Sequence, residues 1–249
     1  MFLSLILIDI GTDPDRPRPG RTWLRNLYHV HQRLCMAFPS KQQKDNDDLF
    51  LQPFAPEQFA QDHVHVPRSS NAGFLFGIDP QSNGRCAILV LSALKPEWDY
   101  AFQNARHLLA VPPQTKPFAL TVAAGQRLRF RLLANAVFRA RQESKHRNGQ
   151  PVQERWVNKR IGVGSDEKAL RNWIERRAAT AGFSVAELTL MQASYTSARK
   201  PTGEAMSLRS VRYEGVLSVT DPAKFLPAVE SGIGPAKAFG FGLLSLAPA

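Results

Sequence analysis

Arg127-Leu-Arg-Phe-Arg-Leu-Leu-Ala134 alternates basic and apolar residues with a strict period of two. Successive side chains of a strand point to opposite faces, so this stretch predicts a half-buried strand with one cationic face. Toward the C-terminus a basic loop is expected over 140–165. A helix over 166–183 follows, with Leu170, Trp173, Ile174 and Arg177 on related faces and Gly182 near its end. Strands over 188–195 and 208–219, a helix over 221–229 and a closing strand over 243–246 complete this half. Toward the N-terminus the pattern predicts a strand over 117–122, a helix over 98–109 and a hairpin of 73–78 and 86–92 around Asp79-Pro-Gln-Ser-Asn-Gly84. A helix over 22–38 and a strand over 1–10 precede them. Each half therefore reads βαββαβ, which predicts an α+β chain of two tandem ferredoxin-like (RRM-like) domains, 1–124 and 125–249, without sequence repetition.

The 249 residues include 32 Lys+Arg against 21 Asp+Glu, a formal charge of +11. An excess of that size on a folded chain points to a polyanionic partner. With 43% hydrophobic residues, intrinsic disorder is excluded. Two cysteines, Cys35 and Cys86, set among apolar neighbours, exclude a disulfide framework and indicate a reducing compartment. The apolar opening over 1–10 lacks the basic start and cleavage site of a signal peptide and is too short to span a bilayer. It reads as a buried strand, and the chain as cytoplasmic with no membrane partner.

Between Arg127 and Arg160, ten Lys or Arg stand against Glu143 and Glu154, a segment charge of +8. Arg127, Arg129 and Arg131 share one strand face, and Arg139 and Arg141 follow, which favours phosphate contact over a merely solvated surface. Arg199, Lys200, Arg209 and Arg212 make the 188–219 hairpin a second basic ribbon, a form that contacts a duplex through its phosphates. In Gly232-Ile-Gly-Pro-Ala-Lys-Ala-Phe-Gly-Phe-Gly242, glycines such as Gly234 and Gly240 let backbone N–H groups approach an anion, and Lys237 adds a charge. A structural turn accounts for the same residues, and the position before a strand excludes a dinucleotide fingerprint. On the first helix Tyr28 and His31, three residues apart, share a face. His29 and His31 lie roughly 200° apart around the axis and cannot share a site. His63-Val64-His65 beside Asp62 has strand spacing but no third ligand in register, so no metal and no other cofactor are expected.

Four pieces together resemble one family. The glycine-rich terminus from Gly232 to Pro248, the strand from Arg127 to Asn135, Tyr213-Glu-Gly-Val-Leu217 and Leu27-Tyr-His-Val-His-Gln32 are similar, in the same order, to CasE, the CRISPR RNA-processing endoribonucleases of type I-E Cascade. The resemblance spans nearly the whole chain and is poor over 40–70, 140–165 and 196–208. It implies a tandem ferredoxin-like protein that binds the stem-loop of a CRISPR repeat and cuts at the 3′ base of the stem without a metal. It also implies that the protein stays with the RNA as a subunit beside the other Cascade subunits. Tyr28 and His31 match the family's Tyr-x-x-His. The implied chemistry is attack of a ribose 2′-OH on the adjacent phosphate, leaving a 2′,3′-cyclic phosphate and a 5′-OH. An imidazole, with an unperturbed pKa of about 6.5, suits the proton taken from the 2′-OH or given to the 5′-oxygen. The sequence departs from the family where a lysine stands one helical turn beyond the histidine, because Met36 is there. The cation facing the phosphorane then comes from Lys237, Arg25 or Arg33. A second reading is an RNA-binding subunit that has lost catalysis, and the retention of both Tyr28 and His31 favours the enzyme.

Overall fold

A computed structural model describes residues 1–13, 15–16, 18–38, 73–147, 150–164, 166–199 and 205–249, with 139–147, 150–160, 192–199 and 205–206 described in backbone alone. The histidines at 63 and 65 lie outside the described residues. β1 (Phe2–Asp9) buries Ser4, Ile6 and Ile8 on one face. It is flanked by the antiparallel partners β3 (Arg85–Ser92) and β4 (Gln114–Pro117), with β2 (Phe74–Pro80) outside β3.

The expected helix over 22–38 is two helices, α1 (Pro19–Leu24) and α2 (Leu27–Cys35). Asn26 interrupts them: its side-chain oxygen accepts from the Tyr28 N–H at 3.1 Å and caps a new helix instead of continuing the old one. The expected helix over 98–109 shrinks to one turn, α3 (Trp98–Ala101), and a 3-10 turn at Arg106–Leu108. Arg33 donates to the Ala101 carbonyl at 2.9 Å, and the Ala105 N–H turns to Phe102 instead. The apolar anchors Trp98, Ala101, Phe102, Ala105 and Leu108 are nonetheless all buried, as their helical spacing requires. The strand expected over 117–122 forms earlier, as β4, while Phe118, Leu120 and Val122 pack on the second core.

β5 (Arg127–Ala134) exposes Arg127, Arg129 and Arg131 and buries Leu128, Phe130 and Leu132, the predicted alternation. The basic loop expected over 140–165 is corrected to a two-stranded ribbon, β6 (Val137–Arg147) and β7 (Gln150–Gly162), before α4 (Glu167–Thr180). The long hairpin β8 (Phe183–Arg199) and β9 (Ala205–Val219) leads to α5 (Pro222–Ser231), a 3-10 turn at Lys237–Phe239 and β10 (Leu244–Pro248).

The two sheets run β2-β3-β1-β4 and β10-β5-β9-β8. With the ribbon left aside and strands counted within each half, each sheet has the order 4-1-3-2 with every neighbour antiparallel, so the fold is a ferredoxin-like unit twice. Leu75 and Leu91 of the first sheet join the core formed by Leu128, Leu170, Phe225 and Leu243 of the second half, so buried apolar contact runs across the two halves. No helix among the described residues is long and apolar enough to cross a membrane.

Candidate active site

α2 turns Leu27, Val30 and Leu34 inward, which leaves Tyr28 and His31 half-buried on its flank and His29 exposed. The separation of the two histidines read from helical geometry is therefore present. Two aromatics of β2 hold the His31 ring. It stacks on Phe74 at a centroid distance of 5.8 Å and 28°, and lies near Phe76 at 6.4 Å and 24°. Such contacts contribute on the order of 1 kcal/mol each and fix the plane of the imidazole.

The glycine-rich segment meets this helix. The 3-10 turn Lys237–Phe239 packs against both α2 and β2. Leu27 and the fully buried Phe241 share a small apolar cluster with Leu133 and Leu208, which seats the start of α2 between the two sheets. Gly240 has φ +81, and a Cβ there would lie 3.1 Å from Phe76, the ring that also neighbours His31. Glycine at 240 thus permits a close approach of the loop to the floor under the histidine. Gly234, with φ +85, rests on the indole of Trp173, whose ring a Cβ would meet at 3.2 Å.

The three cations available for a phosphate are not equivalent. Arg33 is committed to the Ala101 carbonyl and to Asn104 Oδ1, at 2.9 and 2.6 Å. Arg25 is exposed at the end of α1. Lys237 sits in the turn against α2, where burial lowers its pKa below 10.5, and no acid among the described residues pairs with it. The Cys86 thiol is pushed up to about 12 by burial and by the charge of Asp79, which leaves it inert. Among the described residues no three His, Cys, Asp or Glu side chains gather as a metal site.

The basic residues of β5 share a face and already hold partners there. Arg127 pairs with Glu187 at 2.8 Å, and Arg129 donates to the Pro248 carbonyl at 2.9 Å. Arg131 donates to Asp79 of β2 at 2.7 Å and to Glu214 at 2.8 Å, while Arg212 lies 3.9 and 3.8 Å from the same two acids. This network crosses from one sheet to the other, at a cleft of about 740 Å³ lined by Leu5, Asp79 and Leu89 on one side and Arg129, Arg131 and Glu214 on the other. Arg209 donates to the Val163 carbonyl at 3.1 Å and ties β9 to the end of the ribbon. Lys200 lies outside the described residues, as do the side chains of Arg139, Arg141 and Arg199.

The ribbon is the element that sequence reasoning missed. Its register closes at Arg147 opposite Gln150, and the two residues between are Asn148-Gly149, the strongest short hairpin signal a sequence carries. Trp173, assigned above only to a helix face, anchors this ribbon by donating from its indole N–H to the Val137 carbonyl at 3.0 Å.

A family model described as CRISPR associated protein matches residues 1–248. The CRISPR-associated endoribonuclease Cse3 of Thermus thermophilus is 30% identical over 242 residues, which are 93% of this chain and 94% of that protein. The CRISPR system Cascade subunit CasE of Escherichia coli K12 is 25% identical over 253 residues, covering both chains entirely. A structure of Thermus thermophilus Cse3 bound to an RNA representing a pre-cleavage complex superimposes over the whole of both chains with a TM-score of 0.66 and 25% identity. The element order, the doubled 4-1-3-2 sheets and this match over nearly every residue agree, and the chain belongs to the CRISPR-associated protein family.

Proposed function

We propose that the chain is a metal-independent endoribonuclease that binds the stem-loop of a CRISPR repeat and cuts precursor CRISPR RNA at the 3′ base of the stem. It then remains bound as a Cascade subunit, acting in the cytoplasm where its transcript is made. The observation that carries this reading is Tyr28 and His31 on one flank of α2, beside the glycine-rich turn, in a chain matched over 93% of its length by Cse3 and over all of it by CasE.

In this reaction the 2′-OH attacks the neighbouring phosphorus, the bond to the 5′-oxygen breaks, and the products are a 2′,3′-cyclic phosphate and a 5′-OH. His31 takes the 2′-OH proton or delivers one to the departing oxygen. Tyr28, a poor base with a pKa ordinarily near 10, orients a reacting oxygen through its hydroxyl. Lys237 faces the developing charge in place of the lysine missing at Met36, which gives a purpose to a half-buried cation with no acidic partner among the described residues. The first domain, 1–124, contributes the catalytic helix. The second, 125–249, contributes the glycine-rich turn and the RNA-binding surface. We place the sequence-independent phosphate contacts on Arg139 and Arg141 of the ribbon, on Arg199 at the end of β8 and on Lys200, which follows it in sequence, because Arg127, Arg129 and Arg131 have partners of their own.

The experiment is cleavage of the cognate repeat RNA in EDTA with analysis of the ends. Unimpaired cutting to a 2′,3′-cyclic phosphate and a 5′-OH is expected. Loss of cutting in the chelator, restored by a divalent ion, overturns metal independence, and tight binding without any cutting identifies the inactive-subunit alternative.

A further inference from the structure

Two large apolar side chains stand out of the surface at the root of the ribbon. Phe138 is 46% exposed and Ile161 37%, and they are register partners across β6 and β7. Residues directly opposite on an antiparallel pair lie about 5 Å apart on one face, so the two form a single patch. Among the exposed large hydrophobics of the described residues, no other two are register partners.

The patch is rigidly mounted. The Trp173 indole N–H holds the Val137 carbonyl at 3.0 Å, the Val163 N–H donates to the Ala136 carbonyl at 2.9 Å, and Arg209 donates to the Val163 carbonyl at 3.1 Å. Both chain ends entering the ribbon are thereby fixed beside Phe138 and Ile161. Trp173 is itself stacked on the buried Tyr213 at 5.8 Å and 17°. An exposed aromatic on such a mount loses little entropy when something flat is laid on it.

The next register pair outward is Arg139 opposite Arg160, and the ribbon carries Lys or Arg also at 141, 145, 147, 155 and 159. A protein surface docking here would have to bury or neutralise that charge, whereas a nucleic acid brings a phosphate for each cation and a flat apolar base for the ring. Charge complementarity therefore selects the occupant. We infer that Phe138, backed by Ile161, is a stacking platform for one unpaired nucleobase of the RNA whose backbone the ribbon's cations hold. The inference rests on the nuclease reading above and adds a base-contacting residue to it. Stacking of this kind accepts any base, so the platform sets register along the strand and not sequence.

The test uses the cognate repeat stem-loop with 2-aminopurine placed in turn at each unpaired position beside the stem. With the wild-type chain, one position is quenched on binding. Phe138→Ala and Phe138→Leu both abolish that quench and weaken binding about 5- to 100-fold, with unchanged melting temperatures because the side chain is exposed. Leucine separates the two explanations, since it keeps apolar area and loses the ring. Wild-type quenching and affinity in Phe138→Leu overturn the platform and reassign the patch to an aliphatic, protein-facing role. A wild-type chain that binds and cuts without quenching at any position overturns the platform alone. A wild-type chain that neither binds nor cuts the stem-loop overturns the nuclease reading and the platform together.

Discussion

The proposed proton-transfer group, His31, has its ring against Phe74 and Phe76 while the residue remains half-exposed. His31→Ala is expected to slow cleavage about 10²- to 10⁴-fold with repeat affinity near wild type, because one imidazole adds little to a phosphate-dominated affinity. His29→Ala, on the exposed side of α2, is the control and should cut normally. Single-turnover rates beside a binding titration separate the two effects, and equal losses of rate and affinity in His31→Ala would contradict the assignment. Lys237 gives a different signature. Its pKa is lowered by burial, so between that lowered value and 10.5 the unfolded chain holds the proton that the folded chain has lost, and stability rises with pH in that window. Below it the fold carries a desolvated charge at a cost. Lys237→Gln should therefore slow cleavage about 10²- to 10³-fold, keep or raise the melting temperature at neutral pH, and flatten that alkaline rise in stability. A lower melting temperature with an unchanged rate would make Lys237 a packing residue.

Asn26 starts α2, the helix proposed to carry the catalytic pair. Asn26→Ala removes the cap and is expected to cost about 1 kcal/mol, a fall of roughly 2–4 °C in melting temperature for a chain of this size, together with slower cleavage; Asn26→Asp should restore both. The check is a pair of melting curves and single-turnover rates, and a normal rate in Asn26→Ala would show that the cap does not position Tyr28 and His31. This element also shows what a sequence conveys. The face carrying Tyr28 and His31 was legible from three-residue spacing, and the strand 127–134 from its period of two, because both depend only on local geometry. The break at Asn26 was not, since the apolar period runs on across it and a side-chain cap competes with a continuing helix by a small margin. Likewise the anchors from Trp98 to Leu108 announced a helix that Arg33, distant in sequence, cuts short by occupying the Ala101 carbonyl. The ribbon was hidden by its charge, because its run of charged and polar residues carries no apolar alternation by which a strand is read, and only Asn148-Gly149 betrayed it. The partners of Arg131 were invisible for a simpler reason: Asp79 and Glu214 come from other strands.

Across the whole molecule, the +11 charge includes cations that hold acidic partners among the described residues and the cations carried in the sequence of the ribbon. Arg131, between Asp79 and Glu214, bridges the sheets. Arg131→Ala should cost up to about 1 kcal/mol of stability, less in high salt, and leave the slope of log K against log salt for repeat binding near wild type. Arg141→Ala on the ribbon should do the reverse, lowering that slope by up to about one unit with little effect on melting. If salt titrations show the larger slope change in Arg131→Ala, the RNA path runs through the cleft between the sheets and not along the ribbon. Together the two sheets seat α2 against the glycine-rich turn, and the central claim is that this junction turns the RNA's own 2′-OH into the nucleophile. The most direct test is a repeat RNA with a single 2′-deoxyribose at the scissile nucleotide, incubated with the wild-type chain in EDTA beside the all-ribose RNA. The account predicts undiminished binding, complete protection of the deoxy substrate, and a 2′,3′-cyclic phosphate from the all-ribose control. A deoxy substrate cut at the same bond to leave a 3′-OH or a 3′-phosphate would mean that water attacks, and would contradict it.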